Sequence, residues 1–129
     1  MSIEEKIRRL QSFVQTNPAL GNVPFIIVAG RPTTPSEALA SLRARQYTNE
    51  IMAEFAKLGF DPPAWELCQD FYRRLAAASP TLKIATLGFV PPISPAEALV
   101  HVQARDEVGT WLVKAYGDLL SFMALRAGG

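Results

Sequence analysis

Three hydroxyl residues in this 129-residue chain, each followed by a glutamate three positions on, fix where helices begin. Ser2 with Glu5, Thr34 with Glu37 and Ser94 with Glu97 have the spacing of a capping box. The hydroxyl accepts a hydrogen bond from the glutamate's backbone N–H, and the carboxylate reaches back to the first residue's N–H. In the second and third, Pro35 and Pro95 stand at the first helical position, where no donor is needed and the fixed φ suits the helix. With breaks at Asn17-Pro18, Gly59, Ser79-Pro80 and Gly128-Gly129, these starts predict a mainly helical chain.

Periodicity fills the intervals. The first helix is expected from Ser2 to about Thr16, with Ile3, Ile7, Leu10 and Val14 on one face. The second runs from Thr34 to the stop at Gly59, its stripe being Ala40, Ala44, Tyr47, Ile51, Phe55 and Leu58. Asp61-Pro62-Pro63 opens a third, with Ala64, Leu67, Cys68, Phe71 and Leu75 inward. The fourth extends from Ser94 to Leu125, with weak points at Gly109 and Gly117, each costing about 1 kcal/mol relative to alanine. Two apolar segments, Val23 to Ala29 and Thr81 to Val90, read equally as extended chain or as short buried helix. The expected fold is therefore all-α, about four helices with a long apolar C-terminal helix. It becomes α+β if the two segments form a small two-stranded element. The length suits a single helical domain over 1–129, with 1–22 readable as an N-terminal arm.

Pro32, Pro35, Glu37, Ala38, Leu39, Ala44 and Arg45 recur sixty residues later as Pro92, Pro95, Glu97, Ala98, Leu99, Ala104 and Arg105. The echo reads either as a duplication or as helix-start grammar used twice.

The chain lacks the groupings that catalysis needs. His101 is the sole histidine and has no second ligand at metal spacing. Cys68, the sole cysteine, excludes an internal disulfide, sits on the inner face of the third helix, and makes a reducing interior the simpler expectation. A Cys68–His101 nucleophilic pair has no activating context. Glu50 and Glu54 lie one helical turn apart, but Lys57 is placed to pair with Glu54. No glycine cluster has the spacing of a phosphate-cradling loop. The N-terminus lacks the layout of a secretion signal, and no stretch offers the roughly 20 apolar residues of a membrane span. No enzyme activity, cofactor, metal or small-molecule substrate is expected.

Charge and hydropathy are more informative. The 13 basic and 12 acidic residues leave a formal +1, so any polyanion site depends on local segregation of charge. Arg8-Arg9, Arg43 with Arg45, and Arg73-Arg74 with Lys83 form small clusters on or beside helices, and Asp70 is spaced to pair with Arg73 and Arg74. From Val108 to Leu125 only Lys114 and Asp118 carry charge. A helix so apolar on all sides needs cover. Either the other helices wrap it, or Trp111, Leu112, Tyr116, Leu119, Leu120, Phe122 and Met123 meet another subunit or lipid.

Thr48-Asn49-Glu50-Ile51-Met52-Ala53-Glu54-Phe55 through Gly59, then Trp65 to Leu75 with Phe71-Tyr72-Arg73-Arg74, resembles the major capsid proteins of filamentous archaeal viruses. The likeness spans about half of the chain and extends to its length and apolar C-terminal helix. The resemblance implies an all-helical virion protein, made in the host cytoplasm. Pairs of identical or related subunits would wrap linear double-stranded DNA in an A-like form, beneath a possible lipid envelope. Arg8, Arg9, Arg43, Arg45, Arg73, Arg74 and Lys83 are the candidates for phosphate contact, chosen by charge position and not by a matched motif. The competing expectation is a small oligomeric helical accessory protein that binds another protein through its last helix and has no nucleic-acid role.

Overall fold

A computed structural model describes residues 2–57, 62–85 and 91–128. The expected stop at Gly59, the cap at Asp61 and positions 86–90 lie outside them. The chain is predominantly helical with one small antiparallel sheet. It divides into two compact units, one formed by 1–63 with 119–129 and the other by 64–118.

In the first unit, α1 (Ile3–Thr16) begins at the expected Ser2 cap. A 3-10 turn, Pro18–Asn22, leads to β1 (Ile26–Val28) and β2 (Arg31–Thr33), paired antiparallel with Ile26 opposite Thr33. The extended alternative for this segment is the one realised. The two-residue turn between the strands needs positive φ twice, and Ala29 at 51° with Gly30 at 77° supply it. Thr34 and Glu37 then form both halves of their capping box and open α2 (Pro35–Arg43).

The long second helix expected from Thr34 to Gly59 is in fact two, α2 and α3 (Thr48–Lys57). Arg45 takes left-handed φ, 57°. Its N–H donates to the Leu42 carbonyl while that of Gln46 reaches back to Ser41. This is the Schellman stop, which usually uses glycine. With arginine there the sequence carries no stop signal. The break redirects the chain so that Ile51 and Phe55 face inward, and Phe55 meets Phe25 edge-on with ring centroids 5.2 Å apart. Tyr47, expected on the inward stripe, is exposed, as are Ala40 and Ala44; Ala38, Leu39 and Leu42 are buried instead.

The stripe of α1 is likewise rotated from the expected one. Lys6, Leu10 and Phe13 are buried, whereas Ile3, Ile7 and Val14 are half-buried. Leu10 and Phe13 of α1 thus contribute to the first unit's core. The last residues of the chain close this core, with Leu120, Met123 and Ala127 fully buried.

The second unit contains α4 (Ala64–Ala78), α5 (Pro95–Ala104) and most of α6 (Glu107–Met123), which enters the first unit at Leu119. Before α5, Ile84 and Ile93 form an antiparallel bridge, so part of the second ambiguous segment is also extended. Ser94 and Glu97 form a complete capping box, and its hydrogen bonds hold the Glu97 carboxyl below the usual range. The expected fourth helix is split at Arg105, φ 55°, and not at a glycine. Asp106 restarts it by accepting from the Gly109 N–H at 2.8 Å. Arg105 lies over the Trp65 ring, 4.4 Å from its centre.

The sixty-residue echo therefore extends into backbone geometry. Each unit runs helix, antiparallel extended pair, capping box, short helix, left-handed arginine, helix. A left-handed arginine eleven residues past the cap is no part of helix-start grammar, so the units share one local design.

Gly109 is required by packing. A β-carbon on it would lie 2.0 Å from the carbonyl oxygen of His101, because the start of α6 presses against the end of α5. At Gly117 a β-carbon meets nothing within 4 Å. Urea denaturation is expected to show Gly109→Ala destabilised by about 1–3 kcal/mol through overpacking. Gly117→Ala is expected to gain about 1 kcal/mol of helix propensity. Equal effects at the two sites would show that α5 and α6 do not approach this closely.

Candidate nucleic-acid interface

The seven basic candidates divide by what surrounds them. On the first unit, packing of α1 against α2 brings Arg45 to Glu4, with a guanidinium nitrogen 2.9 Å from the carboxylate. Arg8 follows Glu4 by one turn, so Arg8 and Arg45 share an edge, both exposed. Arg43 is exposed on the last turn of α2. Arg9 projects from another side of α1, where it lines an open cleft.

On the second unit Asp70 pairs with both arginines of its cluster, at 2.6 Å from Arg74 and 3.8 Å from Arg73. Half the charge of that pair is thus neutralised within the helix. Lys83 is exposed, near enough to Glu97 to favour its ionised form.

The cleft beside Arg9 is also lined by Ser12, Phe13, Thr16 and Asn17 of α1 and by Leu125 and Arg126 of the C-terminal π-helical turn, Ala124–Gly128. Sequence reasoning passed over Arg126, which follows the apolar run and has no basic neighbour in the chain. Only the return of that turn to α1 gives it company.

Lys6, also overlooked, holds the turn there. It is 2% exposed, its ammonium donates to the Ala127 carbonyl at 3.3 Å, and it sits 3.7 Å from the centre of the Phe55 ring. Burial, with a smaller contribution from Arg9, lowers its pKa from 10.5 to about 8. A lysine already reluctant to hold its proton thus anchors the turn that carries Arg126, and feels the charge of Arg9.

The proposed interface residues of α6 also separate. Leu112, Tyr116, Leu120 and Met123 recur at three- and four-residue spacing and are buried by the chain itself. Trp111 and Leu119 are half-buried. Towards the C-terminal end, Phe122 is 38% exposed and Leu125 79% exposed. No helix of the described residues is long and apolar enough to cross a membrane.

The remaining reactive groups are engaged or inert. Cys68 is fully buried and burial pushes its thiol up to about 12, which disfavours the thiolate a nucleophile needs. His101 is 2.6 Å from Asp106, whose carboxyl is held below the usual range by the Gly109 N–H and by that imidazole. Lys57 pairs with Glu54 at 3.4 Å. The described residues contain no group of three or more histidine, cysteine or carboxylate side chains able to hold a metal. No protein-family model, curated protein or solved structure matches the chain.

The lowered Lys6 pKa fixes a sign. Between pH 8 and 10.5 the folded chain has released a proton that the unfolded chain still binds, so this group adds stability as pH rises. Cys68 and Tyr72 act oppositely: burial lifts both to about 12, so stability falls once their unfolded forms ionise, above 9 and 10 respectively. Lys6→Met is expected to be at least as stable as wild type below pH 8, because a desolvated charge is replaced by an apolar chain of similar length. Its advantage should shrink steadily from pH 8 to 10.5 in urea midpoints. A constant difference across that window would mean that Lys6 is not buried as a cation.

Proposed function

We propose that this chain is a structural coat subunit which assembles into a helical filament around linear double-stranded DNA, recognising phosphate and shape without reading bases. The observation carrying this reading is the concentration of exposed arginine on the first unit. Arg8, Arg9, Arg43 and Arg126 reach solvent from α1, α2 and the C-terminal turn. On the second unit, pairing of Arg73 and Arg74 with Asp70 reduces the charge available to DNA. A chain of only +1 thereby acquires the local segregation that phosphate binding demands.

Phe122 and Leu125 support contact with further copies or with a related second subunit, and a lipid envelope is a further candidate for the same two side chains. In this reading the protein is a virion component and not an enzyme. The exposure of Leu125 also favours the second reading, an accessory protein docking another protein through its last helix, with no DNA partner.

Filter binding to random-sequence duplex across a salt series, with negative-stain microscopy of the same mixtures, distinguishes them. Coat assembly predicts regular filaments and sequence-indifferent binding, with a log–log salt slope of about −0.9 per phosphate neutralised, roughly −4 for four arginines. Discrete small oligomers and no binding at low salt would sink the coat reading and favour the accessory one.

A further inference from the structure

We propose that the cleft between α1 and the C-terminal π-helical turn seats one phosphate group of a nucleic-acid backbone between Arg9 and Arg126. This rests on the DNA-coating reading and names the place where a backbone phosphate is held, rather than merely attracted.

The lining is specific. Among the described residues, the lining comprises two arginines, two hydroxyl side chains, one amide and two apolar side chains. Guanidinium groups are planar forks matched to phosphate oxygens, and the Ser12 and Thr16 hydroxyls, one turn apart on α1, add neutral donors. Arg126 is positioned over the Phe122 ring, 5.0 Å from its centre, so its guanidinium is partly ordered before any ligand arrives.

The carbonyl end of α1 would ordinarily repel an anion. Here the Phe13 carbonyl accepts both from the Asn17 backbone N–H at 2.8 Å and from the Asn17 side-chain amide at 3.2 Å. That carbonyl is doubly satisfied, and the two guanidinium charges outweigh the roughly half negative charge of the helix end. Phe13 and Leu125 give the wall apolar surface suited to the carbon face of a sugar. The cavity volume of about 400 Å³ lies within the range that small-molecule pockets occupy and accommodates a phosphate with its attached sugar.

The Lys6 anchor couples to this seat. It bonds the carbonyl of Ala127, next to Arg126, and already feels the charge of Arg9. An anion between the two arginines offsets that repulsion, so occupancy should make Lys6 hold its proton more tightly. The same phosphate chemistry could be presented by a free phosphorylated small molecule, and the test separates the two sources.

The experiment titrates isotope-labelled full-length protein with inorganic phosphate, with a mononucleotide and with a short random-sequence duplex. It follows the arginine Nε–H and Ser12–Asn17 amide resonances by NMR, in wild type and in Arg9→Gln/Arg126→Gln. Both arginines are exposed, so the double variant should fold, and its thermal transition checks this. The expected result is that phosphate and duplex move the same resonances. The double variant should lose these shifts, bind duplex at least tenfold more weakly, and show a salt slope shallower by about 0.9 for each arginine removed. Duplex binding that leaves these resonances still, with the double variant binding like wild type, overturns the seat while leaving the coat reading intact. Response to phosphate and mononucleotide without duplex binding overturns the coat reading and the nucleic-acid source together, while supporting the phosphate chemistry. Silence toward all three overturns the seat outright.

Discussion

The first unit is organised around a positive charge that water cannot reach. The Lys6 ammonium lies between the Phe55 ring and the Ala127 carbonyl, joining α1, α3 and the C-terminal turn, segments separated by as many as 121 residues. Desolvating an ammonium is expensive, and the Phe55 ring face and the Ala127 carbonyl offset part of that cost. The balance is close, as the fall of its pKa to about 8 records. A methionine would fill the same space without that cost, but would be indifferent to where the turn's carbonyl sits. The charge is directional where a hydrophobic contact is not, and it ties down the turn from which Arg126 joins Arg9 in lining one cleft.

What could be read from the residues was what local rules govern. The caps at Ser2, Thr34 and Ser94 were legible because a hydroxyl and an amide three residues apart interact the same way in any fold. The breaks at Arg45 and Arg105 were not, since arginine is an uncommon residue in left-handed backbone and carries no signature of it. The buried face of α1 includes Lys6, and a pattern built from apolar residues alone passes over a lysine, since lysines are rarely buried.

The same division runs through the candidate site. That Arg73 and Arg74 are partly neutralised followed from helical spacing to Asp70, and the structure shows that pairing. The Arg45 pairing with Glu4 spans 41 positions and no rule of spacing could supply it. Arg126 looked isolated for the same reason. A cleft assembled from two ends of a chain has no sequence pattern, only a location.

The architecture also bears on the order in which the molecule can form. The second unit is one unbroken segment, 64–118, whereas the first needs 1–63 together with 119–129. As the chain leaves the ribosome, the second unit is fully available while α1, α2 and α3 still lack Leu120, Met123 and Ala127 from their core. Non-local closure of this kind is slow relative to local folding. The part of the chain that emerges first is therefore completed last, and until α6 arrives, apolar surface on the first three helices is open to whatever else is nearby.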